Sequence, residues 1–377
     1  MYQRYEPIDP REAFEVVPQE DSESTQSAAA SQAALLLAAR AGVVCESEDL
    51  LDQIQTDSAT APGFDLPALR PLERSRRMRV DDATRPLGMS RRELNQESPA
   101  RVQAEMATTV RRLYDKPETE TAAALFEAGM QSPHLLVRVA AAAGARETTR
   151  LRRKIRAILE AGVDSGDPTI AEVARVALGK IDRKAAHLRR FVTTPPPSRP
   201  RRRESNTAVI THGTWGADGA WYKPQGSFHA ALAANRPDLH VHDQSFVWSG
   251  GYSHTARTQA AGELKQWIAD QGLDRPDMFA HSHGGTVANF ATSDGVEFDR
   301  LVLLAWPVRT QWGPDVARVG RLIDIRVKLD LVILIDGGGQ RFPGGQPKLE
   351  EHRNGWFDHG SVHEVQYWDD HDLWAKL

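Results

Sequence analysis

The chain has 377 residues, 40% of them apolar, which suffices for two domains with cores of their own. A net charge of −4 is too small to imply a nucleic-acid or anionic-membrane partner. The single cysteine, Cys45, excludes an intramolecular disulfide framework and fits a reducing compartment.

Residues 1–30 are polar and acidic with little periodicity, and read as a disordered N-terminus. The apolar stretch that follows is interrupted by Gln32 and Arg40 and preceded by Glu20-Asp21-Ser22-Glu23. It is neither a secretory leader nor a membrane span, so a helix near 28–42 is expected, and a soluble, cytoplasmic protein with no transmembrane segment. Between residues 45 and 100, Pro62, Pro67, Pro71 and Pro86 break any long helix. From 100 to 181 the pattern is helical and weakly repetitive. Glu127-Ala-Gly-Met-Gln-Ser recurs as Glu160-Ala-Gly-Val-Asp-Ser, 33 residues on, and each copy leads through a proline (Pro133, Pro168) into a small-apolar helix. That period and the Val-Arg-x-Ala-Ala flavour resemble HEAT repeats over about 100–190, with a plain alanine-rich bundle as the alternative. Residues 31–192 are thus expected to form an all-α domain, whose resemblance implies a surface for a protein partner. Residues 193–204 hold a triple proline and Arg199, Arg201, Arg202 and Arg203, and read as a solvated linker.

All nine tryptophans lie beyond that linker, from Trp215 to Trp374. Strands are expected at 208–211, 240–247, 278–281, 301–305, 323–327 and, last, 362–367. Helices are expected at 228–234, 255–271 and 284–291. This alternation predicts an α/β fold, with a mostly parallel sheet flanked by helices over 205–377.

Chemistry concentrates where one such strand runs into Ala280-His281-Ser282-His283-Gly284 and then a helix. A nucleophilic serine needs a strained turn with small residues two before and two after it, here Ala280 and Gly284. Ser282 is therefore the candidate nucleophile. Upstream, Thr211-His212-Gly213-Thr214-Trp215 follows the first strand and can aim a backbone N–H at a developing oxyanion. The candidate donors are Thr214 (or Trp215) and His283, the residue after the nucleophile.

Together with Phe246-Val-Trp-Ser-Gly-Gly-Tyr-Ser-His-Thr-Ala-Arg-Thr-Gln-Ala260, these motifs resemble the bacterial lipase/esterase-like α/β-hydrolases. The resemblance covers roughly 205–377. It implies an α/β-hydrolase fold and a serine hydrolase acting on a small-molecule or lipid carboxylic ester without a cofactor. The order Ser…Asp…His places the base after the last strand and the acid before it. With the last strand expected at 362–367, His371 is the first choice of base and His359 the reserve. Asp330 is the first choice of acid, and Asp336, beside Gly337, the second. Trp215, Trp248 and Trp306 are candidates for an apolar substrate site, and 306–320 or the N-terminal domain could cover it.

Two rival readings stay open. His240/His242 and His281/His283 have ligand-like spacing for a metal-dependent hydrolase, although no further Asp or His follows the second pair closely. Alternatively the helical half is an interaction module and the hydrolase-like half is non-catalytic.

Overall fold

The computed structural model describes residues 4–14, 22–44, 47–68, 71–72, 99–149, 151–182 and 206–377. Cys45 and the 193–204 linker lie outside these.

Eight helices precede the first strand among the described residues: α1 (Pro10–Ala13), α2 (Glu23–Val43), α3 (Glu48–Ser58), α4 (Pro99–Asp115), α5 (Thr119–Gly129), α6 (Leu135–Thr148), α7 (Arg152–Val163) and α8 (Pro168–Ile181). Residues 4–14 and 22–30 are not the unstructured segment expected from their polarity. Ser22 caps α2 by accepting the Thr25 N–H, and Tyr5, Phe14 and Ala28 to Ala30 are buried. Small side chains let α2 sink fully among its neighbours, a packing that hydropathy alone does not reveal.

The 33-residue period is structural. Helices α6 and α8 are each 14 residues long and begin at Leu135 and Pro168. Gly129 at the end of α5 lies against Ala141 of α6, where an added Cβ would meet the Ala141 Cβ at 2.9 Å. Gly162 near the end of α7 lies in the same way against Ala174 of α8, at 2.8 Å. The repeated Gly-to-Ala contact fixes how closely each helix pair approaches.

The rest of the chain is α/β. Strands β1 (Thr207–Thr211), β2 (His240–Val241), β3 (Asp277–His281), β4 (Phe298–Leu304), β5 (Val319–Lys328) and β6 (Leu349–Trp356) form one all-parallel sheet in the order β2-β1-β3-β4-β5-β6. Alternation along the strands sorts side chains to two faces. Ala208, Ile210, Phe279, Val302, Leu304, Ile323 and Ile325 pack with α9 (Ser227–Asn235) and α13 (Val365–Asp370). Val209, Met278, Ala280, Leu301, Leu303 and Leu322 pack with α10 (His254–Asp270) and α11 (His283–Ser293) on the other face. Both faces are covered, as a parallel sheet requires.

Two expected elements change. The stretch 362–367 is not a strand: Ser361–His363 forms a 3-10 turn and α13 follows. Its hydrophobicity arises because Val362, Tyr367 and Trp368 are buried under the sheet. The last strand is the polar β6, an edge strand with mostly half-exposed residues, whose pattern carries no buried face. The expected strand 240–247 shrinks to the two residues of β2 for a similar reason, being the opposite edge.

The helical half and the sheet share a core at α12 (Leu331–Asp336). Leu331, Val332, Leu334 and Ile335 of α12, with Leu329 and Phe357, belong to the same apolar cluster as α2, α5, α6 and α8. No helix among the described residues is long and apolar enough to cross a membrane.

Candidate active site

Strand order reverses beside β1, since the chain goes first to β2 on one side and then to β3 on the other. A crevice opens at the carboxyl ends of strands at such a point. The loop after β1 carries His212 to Trp215 and the turn after β3 carries Ser282, so the topology brings the two motifs together.

Ser282 sits at φ 51° and ψ −130°, a conformation costly for a residue with a Cβ. Its N–H donates to the Leu304 carbonyl at 2.7 Å, which holds the turn against β4. Close approach demands glycine at two neighbouring places. A Cβ on Gly284 would come within 2.4 Å of the His212 carbonyl oxygen, and one on Gly213 within 2.7 Å of the Ser282 Cβ. The two turns are thus packed backbone to backbone, which explains the spacing of both motifs.

The loop after β1 is braced from below. His212 Nδ1 donates to the Gly213 carbonyl at 2.7 Å, the Trp248 N–H donates to His212 Nε2 at 3.3 Å, and Trp248 Nε1 donates to the His212 carbonyl at 2.9 Å. Burial pushes the His212 imidazole down to about 4, so it is neutral at pH 7. Trp215 N–H donates to the Gly250 carbonyl at 3.0 Å. The Thr214 N–H has no acceptor among the described residues, and its Oγ1 is buried without a partner. Of the two candidate donors in this loop, only Thr214 is therefore unengaged. His283 opens α11, so its N–H is one of the orphan donors of a helix start.

The pocket at this point spans about 400 Å³, counting space that is open to solvent. Ser282, Thr214, His283, His281 and His359 line it together with Trp215 and Tyr252, Pro307, and Val332, Ile333 and Asp336 of α12. Glu172 and Val176 of α8 complete the wall. Neither has any sequence signal: both sit on an ordinary amphipathic helix more than 100 residues before Ser282.

Of the three histidines that line the serine's pocket, His359 is the one with a short hydrogen bond to a carboxylate. Its Nδ1 donates to Asp330 Oδ2 at 2.7 Å, with both side chains essentially excluded from solvent. Asp330 Oδ1 accepts the N–H groups of Val332 (2.9 Å) and Ile333 (3.0 Å), making Asp330 the N-cap of α12. Burial opposes charge on His359, but the Asp330 carboxylate, through its charge and its hydrogen bond, outweighs that and carries the imidazole up to about 9. Glu172 and Asp358 act in the same direction.

His371, expected to be the base, lies elsewhere. It follows α13 at the far end of the last turn, half-exposed, with its ring packed on Tyr367 at 4.9 Å, and it does not line the pocket. The displacement follows from the strand correction: once β6 is the last strand, the histidine just beyond it is His359.

Asp336, the second choice of acid, does reach the pocket but faces other partners. It accepts from Tyr252 Oη at 2.6 Å and Arg309 Nη2 at 2.7 Å, and its Oδ2 lies 3.6 Å from His283 Nε2. Burial alone would raise this carboxyl, yet His283, Arg309 and Lys180 hold it well below the usual range. Burial takes His283 down to about 4.

Of the three tryptophans proposed for substrate, Trp215 lines the pocket and the other two do not. Trp248 is fully buried and braces the His212 turn. Trp306 is fully buried, donates to Thr286 Oγ1 at 3.0 Å and packs on Gly285 at the start of α11. The segment 306–320 forms two 3-10 turns, at Thr310–Trp312 and Val316–Arg318, and only Pro307 of it reaches the pocket. The four histidines with ligand-like spacing do not converge. His281 packs between His359 and His363, at 4.8 and 4.9 Å between ring centres, whereas His283 faces Asp336 and Thr286. Among the described residues no group of three or more His, Cys, Asp or Glu side chains is arranged to hold a metal ion.

No protein-family model matches this chain, and no curated protein is similar to it in sequence, so a functional reading has to stand on the geometry of the pocket.

Proposed function

We propose that the chain is a serine hydrolase of the α/β-hydrolase type that cleaves a carboxylic ester through an acyl-enzyme on Ser282, with His359 as base and Asp330 as acid. The observation that carries this reading is the meeting, in one pocket, of a serine on a strained strand-to-helix turn and a buried His–Asp pair. The strand order fits it too: the nucleophile turn follows the strand beside β1, and acid and base follow the last two strands in the order Ser…Asp…His.

With its Nδ1 proton held by Asp330, His359 presents Nε2 as the acceptor of the Ser282 hydroxyl proton. Ser282 Oγ bonds to the ester carbonyl carbon, and the N–H groups of Thr214 and His283 receive the negative oxygen of the tetrahedral adduct. His359 returns the proton to the departing alkoxide, leaving the acyl-enzyme and an alcohol. A water then gives its proton to His359 and attacks the acyl carbon, and Ser282 regains its proton as the acid leaves. Asp330 holds the imidazole in place throughout. For the helical half, the recurring helix pair and its Gly-to-Ala contact support the HEAT-like reading.

A fluorophosphonate probe tests the assignment directly. Ser282 should be labelled in the full chain, with and without EDTA, and the label should be lost in S282A and H359A. An unlabelled wild-type Ser282, with no turnover of p-nitrophenyl esters from acetate to palmitate, would overturn the reading. Labelling abolished by EDTA would favour the metal-dependent alternative.

A further inference from the structure

The pocket holds one carboxylate that makes no hydrogen bond or contact ion pair among the described residues, although the charges of His359 and Arg175 act on it from further off. Asp330 is engaged by His359 and by two helix N–H groups. Asp336 is engaged by Tyr252 and Arg309. Glu172, reaching in from α8, has neither a hydrogen bond nor an ion pair among the described residues, although it lines the same cavity as Ser282 and His359. A carboxylate half-removed from water without a partner is an unfavourable arrangement in the empty protein, and burial accordingly raises its pKa. Such a group is retained at a cost that a bound guest can offset.

Its surroundings select the guest. Trp215 and Tyr252 stack at 5.3 Å and 27° and both line the pocket, with the Arg257 guanidinium 5.9 Å from the Tyr252 ring centre, while Val176, Val332 and Ile333 supply apolar walls. A carboxylate and aromatic rings lining one partly enclosed cavity attract a positively charged nitrogen, through the direct charge and through the ring quadrupoles. An anionic group in the same place would meet Glu172 at close range. A purely aliphatic chain would fill the walls but leave the carboxylate unpaired and further dehydrated.

Resting on the hydrolase reading above, we propose that Glu172, together with the stacked Trp215–Tyr252 pair, recognises a cationic nitrogen on the substrate, so that the preferred ester carries an amine or quaternary ammonium group. The helical half would then be part of the substrate site and a determinant of its specificity, through a residue of α8.

The test uses matched esters and the full chain. On the acyl side, p-nitrophenyl 6-aminohexanoate is compared with p-nitrophenyl hexanoate and with the mono-p-nitrophenyl ester of adipic acid. On the alcohol side, butyrylcholine is compared with 3,3-dimethylbutyl butyrate, its uncharged analogue. The expected result is a kcat/KM preference for the cationic ester of about tenfold or more in at least one pair, about 1.4 kcal/mol. In E172Q, checked for native thermal unfolding, that preference should fall to within about threefold, mainly through KM. The proposal is overturned if wild type shows no preference for the cation in either pair, or if E172Q keeps the wild-type preference. Wild-type Ser282 labelling by a neutral fluorophosphonate is measured alongside. Its absence would refute the hydrolase reading itself, whereas labelling without charge preference would refute only the role of Glu172.

Discussion

Replacing Asp330 with asparagine should inactivate the protein while leaving it folded, because the two carboxylate oxygens have separate tasks. Oδ1 caps α12 by accepting the Val332 and Ile333 N–H groups at 2.9 and 3.0 Å, and Oδ2 accepts from His359 Nδ1 at 2.7 Å. Asparagine caps a helix about as well as aspartate does, so the two amide donors will keep its carbonyl oxygen on their side. The carboxamide NH2 must then face His359, whose Nδ1 becomes an acceptor. The ring proton is thereby moved to Nε2, the atom that has to take the proton of Ser282. In a serine-protease triad the equivalent change costs about 10⁴ in kcat, which is about 5.5 kcal/mol at 1.36 kcal/mol per decade. The stability cost should stay near that of one charge-assisted hydrogen bond, about 1.5–3 kcal/mol. The assay is the second-order rate of fluorophosphonate labelling and the turnover of a p-nitrophenyl ester, with thermal unfolding recorded on the same samples. A folded D330N protein within about tenfold of wild-type activity would refute this division of labour.

H359A should lower turnover by about 10⁴ or more, whereas H371A should change it less than about twofold; equal losses in the two variants would contradict the placement of the base. Because His359 is carried up to about 9, kcat/KM should climb with pH from 7 towards 9 as the imidazole loses its proton, and a profile already flat at pH 7 would contradict that. For stability, that raised pKa contributes fully below the unfolded value of about 6.5 and is lost as pH rises through about 9. His212 and His283, both held down to about 4, act oppositely: the unfolded chain takes up protons first, so chemical-denaturation midpoints should fall as pH drops from about 6.5 towards 4. G284A puts a Cβ 2.4 Å from the His212 carbonyl oxygen; the forced shift of the two turns should slow labelling of Ser282 by about 10² or more, since misplacement near 1 Å has that effect. A fragment of residues 206–377 would expose Leu331, Leu334 and Ile335, all within 1% of full burial in the whole chain. At about 1.5–3 kcal/mol per side chain, that approaches a typical total stability, so the fragment should be insoluble or unfold well below the full chain, and an unchanged Tm would refute the shared core.

The strained turn at Ser282 was legible because its constraints are local. Small residues at 280 and 284, a strand before and a helix after are all sequence-adjacent, and the turn at 212–215 carries its own glycine. Asp330, the proposed acid, was legible because it closely follows the long β5, whose stretch 322–327 is buried throughout. His371 rather than His359 came first as base for a single physical reason: edge strands need no buried face, so β6 reads as polar loop, while the apolar stretch 362–367 reads as strand although it is a turn and a helix packed beneath the sheet. Trp248 and Trp306 were misread because an aromatic ring that braces a turn and one that contacts substrate look alike in sequence; only their indole N–H partners distinguish them. Glu172 could not be found at all, since its place in the pocket is created by tertiary contact across more than 100 residues.

That contact ties the two halves together at α12. One side of this short helix contributes Val332 and Ile333 to the pocket, and its first turn is capped by Asp330, the proposed acid. Its other side, Leu331, Leu334 and Ile335, is buried against α2 and α8. Six residues are too few to hold a helix on their own hydrogen bonds, so α12 depends on that burial for its existence. Nearby, Thr169 of α8 donates to Asp358 at 2.9 Å, beside His359, and Lys180 donates to the Asp336 carbonyl at 3.0 Å. Any displacement of α8 would therefore act on the pocket in three places: it would withdraw Glu172 and Val176 from the wall, loosen the loop that carries His359, and uncover the helix that Asp330 caps. On the proposed reading, specificity and the acid–base pair are coupled through one interface, and the helical half is a structural condition for catalysis.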